Sequence, residues 1–126
     1  MIGNRICAVA LAAVFTLFSF AALAKAAPYD GSWTMVLVTT SGHCGVIKIG
    51  VAVDGGHISA TKGKFVFHKI QLAGKISGSG ATSISGVAGP RQAIGVGRFT
   101  RVKGSGEWNG TGPSGVCSGY WVADRA

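Results

Sequence analysis

Glycine decides most of what this chain can become. Twenty of its 21 glycines fall after residue 27, and no stretch of that region keeps a helical period. They lack the third-position repeat of collagen, so their density points to turns and closely packed sheet. Between them the apolar residues alternate. Ile47, Ile49, Val51 and Val53 interleave with Lys48, Gly50, Ala52 and Asp54, the period of a strand with one buried face. Asp54-Gly55-Gly56 then predicts a tight hairpin returning through His57 to Thr61.

The same pattern predicts a first strand over 34–39, with Trp33, Met35 and Leu37 on one face. Residues 65–76 read as one strand in which Val66, His68, Ile70, Leu72 and Ile76 share a parity, with Gly74 as a bend or bulge. A weak strand over 81–87 ends at Gly89-Pro90. The next, over 92–102, carries Ile94 and Val96 on one face and Phe99 on the other. Lys103-Gly104-Ser105-Gly106 reads as a turn and 110–115 as a loop. A last strand over 116–123 places Cys117 and Trp121 opposite Tyr120 and Val122. Seven or eight short strands at hairpin spacing make an all-β antiparallel meander, better closed as a barrel than folded as a sandwich. Trp33, Leu37, His68 and Trp121 are the expected interior.

Residues 1–26 predict a cleavable secretory signal. Arg5 is the only charge ahead of an apolar run from Ile6 to Leu23, and the small-x-small sites Ala22-Leu23-Ala24 and Ala24-Lys25-Ala26 end that run. A membrane anchor is the competing reading, but no basic stop-transfer cluster follows. Cys7 stands at the head of the run, where a lipoprotein cysteine would follow it. Cleavage after Ala26 leaves 100 residues, 27–126, as a single β-rich domain in the periplasm or outside the cell, with no membrane span. Cys44 and Cys117 are then the only cysteines, and an even count in a small exported domain predicts a disulfide.

Beyond the signal, ten Lys and Arg oppose Asp30, Asp54, Glu107 and Asp124. That imbalance attracts anionic polysaccharide, lipid or acidic protein, while export argues against nucleic acid. Lys62, Lys64, Lys69 and Lys75 form one basic group around Phe65 and Phe67, and Arg98, Arg101 and Lys103 form a second. Together they are the candidate anionic-ligand patch. The bland alternative is charge that keeps a glycine-rich domain soluble and guards its strand edges.

Catalysis lacks its parts in this chain. Only Glu107, beside Trp108, has aromatic company among the four acids, and no GxSxG elbow accompanies the many Gly-Ser turns. His43, His57 and His68 stand apart without metal-ligand spacing, and no CxxCH attaches haem, so neither metal nor cofactor is expected. Asn109-Gly110-Thr111 fits a glycosylation sequon that matters only in a glycosylating host.

The Tyr29-Asp30-Gly31-Ser32-Trp33 opening, the Gly104-Ser105-Gly106-Glu107-Trp108 segment and the Cys117-Ser118-Gly119-Tyr120-Trp121 ending resemble a group of small exported proteins of soil alphaproteobacteria. The likeness covers nearly all of residues 27–126. It implies an exported domain without a defined chemistry, although haem-utilisation or adhesion labels attach to some similar proteins. Gly31-Ser32-Trp33 is also similar to the G-x-W start of lipocalin-like barrels. Two functions follow as expectations. One is a non-enzymatic exported protein whose basic face meets anionic partners. The other is a calycin-like carrier of a small apolar ligand or haem inside a lipocalin- or streptavidin-like barrel.

Overall fold

The computed structural model describes residues 28–126, and the expected signal, residues 1–26, lies outside them. Ten strands follow in order: β1 (Gly31–Ser41), β2 (Val46–Asp54), β3 (His57–Lys62), β4 (Lys64–Phe65), β5 (His68–Lys69), β6 (Gln71–Ile76), β7 (Ala81–Ala88), β8 (Arg91–Phe99), β9 (Lys103–Gly112) and β10 (Gly115–Arg125). Eight of them close an antiparallel barrel in the order β1-β10-β9-β8-β7-β6-β3-β2. Strands β4 and β5 form a separate small hairpin on the way from β3 to β6. Every seam but one joins successive barrel strands. The exception pairs β1 with β10, from Trp33 opposite Arg125 to Ser41 opposite Ser118.

Period-two alternation fills the interior. Trp33 and Met35 of β1, Ile49, Val51 and Val53 of β2, and Ile58, Ile76 and Ile84 on the next strands are buried, as are Phe99, Trp108 and Trp121. Each indole N–H finds a main-chain carbonyl, as buried tryptophan requires. Trp33 donates to Tyr29 at 2.9 Å, and Trp108 and Trp121 donate to Val38 and Val96 at 3.2 Å each.

Glycine makes room for the largest of these rings. A Cβ on Gly97 would stand 2.1 Å from the Ser105 carbonyl and 2.7 Å from the Trp121 ring. One on Gly106 would stand 2.0 Å from the Val96 carbonyl and 2.7 Å from Trp121 Nε1. Trp121 thus lies against bare backbone of β8 and β9. This corrects the expected turn at 103–106, which is the start of β9. The chain reverses instead at Thr100–Val102, where Thr100 Oγ1 accepts from the Lys103 amide at 3.1 Å. Residues 110–115 are likewise a hairpin, with only Pro113 and Ser114 between β9 and β10.

The expected strand over 65–76 is also corrected. Val66 and Phe67 have φ of 48° and 68°, so the chain reverses there and begins again at His68. His68 therefore leaves the expected interior and is exposed. Its ring rests on the β7–β8 turn, where a Cβ on Gly89 would approach it to 2.5 Å. Ile70, Leu72 and Ile76 keep the inward parity. Gly74 makes no bulge: it sits in an unbroken ladder between Ile58 and Ile84, and a Cβ there would meet the Ser83 carbonyl at 2.7 Å.

Cys44 and Cys117 are bonded, with Cα atoms 6.2 Å apart. The bridge ties the β1–β2 loop to β10 beside the one seam that joins distant parts of the chain.

Candidate functional site

The two ends of the barrel differ. At one end lie the start of β1, the β2–β3, β6–β7 and β8–β9 turns and the end of β10. Aromatic rings stop this end. Phe99 meets Trp33 edge-on with centroids 5.1 Å apart, and Trp121 lies 5.5 Å from Phe99 on the other side. Arg125 covers them. Its guanidinium carbon stands 4.4 Å over the Trp33 ring, and its nitrogens donate to the carbonyls of Arg101, Asp30 and Pro28. The planar fork of arginine suits three acceptors and a ring face at once. Composition marked Arg125 only as one more positive charge, and its role follows from the β1–β10 register that sets it opposite Trp33.

The opposite end is hollow. There Leu37, Ile47, Ile70 and Leu72 wall a cavity of about 90 Å³, measured as room for the centre of a water molecule. A second lobe of about 40 Å³ continues inward past Trp108 to Met35, Ile84 and Trp121. Ala93, Leu72 and Trp108 border both lobes. The walls are apolar, and Arg91, Gln92, Thr111 and Ser114 place polar groups among the lining near strand ends. The small residues Gly86, Ala88, Ala93 and Gly110 leave the space that larger side chains would fill.

The β4–β5 hairpin crosses this mouth. Phe65 faces the cavity, and the Arg91 guanidinium carbon stands 5.6 Å from its ring centroid. At the hairpin base the Ile70 amide donates to Gly63 at 3.0 Å. The disulfide also borders the cavity through Cys44 and Cys117.

Of the expected interior residues, Trp33 and Trp121 lie in the plugged half, and Leu37 lines both lobes. No histidine lines either lobe, and both wall sulfurs of the outer one are in the disulfide, so the outer cavity offers haem iron no ligand. Among the described residues no three His, Cys, Asp or Glu side chains gather around a common point. Glu107 is exposed on the outer face of β9.

The two basic groups lie toward opposite ends. Lys64 and Lys69 lie on the small β4–β5 hairpin, and Lys62, two residues before it, lies on the outer wall beside Gly50 of β2. Lys75 falls with Arg98, Arg101 and Lys103 near the plugged end, where it pairs across the ladder with His57 at the start of β3. Arg98 there donates to the Ser79 carbonyl at 3.0 Å, and Lys103 stands 3.5 Å from Asp124. A single patch of all seven is not formed. Among the described residues no helix is long and apolar enough to cross a membrane. Compared with protein-family models and with curated protein sequences, the chain matches none.

Proposed function

We propose that this protein is an exported, non-enzymatic carrier that holds a small apolar molecule in the open end of its barrel. The observation that supports this reading is the two-lobed apolar cavity, floored by Trp121 and shut off from the far end by the Trp33–Phe99–Arg125 plug. A concave apolar site with a few polar groups near its rim is how small ligands are commonly held. It outranks a basic binding face, because the lysines and arginines are divided between the ends. The walls carry no acid or histidine that could move a proton, which favours binding over catalysis. An exported setting agrees with the Cys44–Cys117 bridge, since such bonds persist in oxidising compartments.

The test is saturable uptake of a neutral apolar dye, N-phenyl-1-naphthylamine, by the disulfide-bonded protein. We expect single-site enhancement of dye fluorescence that persists at high salt. Ala93→Leu, which extends a side chain into both lobes, abolishes it while leaving the fold intact by circular dichroism. Dye uptake that does not saturate, or that ignores Ala93→Leu, overturns the reading.

A further inference from the structure

The hairpin that crosses the mouth carries a feature the cavity does not explain. Phe67, at its tip, is 98% exposed, and Val66 beside it is 47% exposed. A turn with positive φ at both central positions favours asparagine and glycine, because a Cβ is crowded there. Two large apolar residues occupy it instead, at φ 48° and 68°, so the backbone holds an aromatic ring out into solvent against local preference.

The surroundings have one sign. Lys64 and Lys69 lie directly opposite each other across the β4–β5 ladder, an arrangement that repels unless an anion lies nearby. Lys62, exposed at the end of β3, joins them, and Arg91 stands at the rim. No acid answers them. Asp30, Asp54 and Asp124 belong to the plugged end, and Glu107 lies part-way along the outer face of β9. Further apolar side chains rise at the same end: Val46 at the start of β2 and Val116 near the start of β10 are 68% and 67% exposed.

We infer that the open end of the barrel docks on an anionic lipid bilayer, with Phe67 inserted at the headgroup boundary and Lys62, Lys64 and Lys69 held against the lipid phosphates. An exposed aromatic tip ringed by lysine matches a surface that is apolar beneath and negative on top. A soluble polyanion would use the lysines but has no place for Phe67. The inference stands on the hairpin and the charge distribution, and holds whether or not the cavity takes a ligand.

Vesicle co-sedimentation tests it, using phosphatidylcholine alone and phosphatidylcholine mixed with phosphatidylglycerol. Wild type and variants are isolated with the disulfide formed, and a common N-terminus is verified by mass spectrometry. We expect binding to the mixed vesicles that weakens with salt. Phe67→Ser reduces it roughly tenfold or more, as expected for an aromatic side chain withdrawn from an apolar phase. Lys64→Gln and Lys69→Gln each reduce it about fivefold. Phe67 makes the exposed tip, so Phe67→Ser keeps the fold and dye uptake of wild type. In a Phe67→Trp variant, emission shifts to the blue on mixed vesicles and is quenched by lipids brominated near the headgroup, beyond any change in wild type. Undiminished binding by Phe67→Ser overturns the inference. So does an unshifted Phe67→Trp spectrum, or equal binding to dextran sulfate and vesicles that ignores Phe67.

Discussion

Arg125 is exposed, yet its one guanidinium joins the approach to β1 and the β8–β9 turn to the end of β10. Hydrogen bonds from a charged donor and a cation over an indole face each contribute on the order of 1 kcal/mol at a surface. Arg125→Ala is expected to destabilise the fold by about 1–2 kcal/mol, seen as a drop of roughly 5–10 °C in melting temperature. Arg125→Lys should recover less than half, since a lysine cannot reach three carbonyls in a plane. At Val66 and Phe67 the opposite holds. Replacing them with Asn-Gly suits the backbone and should stabilise the hairpin by about 1–2 kcal/mol, read from chemical denaturation. The same change should remove vesicle binding, a gain in stability set against a loss of function.

Among the elements, those whose sequence carries two signals at once were legible. Strand β2 shows strict alternation followed by Asp54-Gly55-Gly56, and the structure places Ile49, Val51 and Val53 inward and the turn at those glycines. The parity of β10, with Cys117 and Trp121 inward, was equally plain. Elements went unread where one signal contradicted another. Lys103-Gly104-Ser105-Gly106 looks like a turn because its glycines look like breaks. They serve close packing instead, and only the position of Trp121 on a neighbouring strand reveals that. The β4–β5 hairpin hides behind Val66-Phe67, which carry none of the usual turn chemistry and even extend the strand parity through His68. Of the site, Leu37 was visible as an inward residue. The cavity was not, because empty space reflects the small residues Gly86, Ala93 and Gly110 on three strands at once. The disulfide belongs to this scale too. Closing a long loop, it contributes about 4 kcal/mol in the chain-entropy account. Cys44→Ser/Cys117→Ser should lower the denaturation midpoint by a large fraction and, by freeing the β1–β2 loop beside the cavity, weaken dye uptake as well.

The whole molecule is a tube with unlike ends. Because the plug and the mouth share no turn, stability and binding separate: changes at Arg125 are expected to shift the melting temperature with little effect on dye affinity, and Ala93→Leu to do the reverse. A bound apolar ligand at a hundred times its dissociation constant should add about 2.7 kcal/mol to the folded state. The measurement is a melting temperature that rises with dye concentration in wild type and stays level in Ala93→Leu.

The pairing of β1 with β10 also sets a clock. As the chain emerges N-terminus first, by synthesis or by passage across a membrane, β1 appears well before β10, the strand that completes its second edge. During that interval the nascent sheet presents Val36, Leu37 and Val38 along an unpaired edge, open to any strand that arrives first. A chain stopped at Ser114 keeps that edge for good and is expected to aggregate, and supplying residues 115–126 as a peptide should restore solubility. Its own last strand is thus the guard of its first, and in a crowded population of unfinished chains the same geometry would let one molecule's β10 close another molecule's barrel.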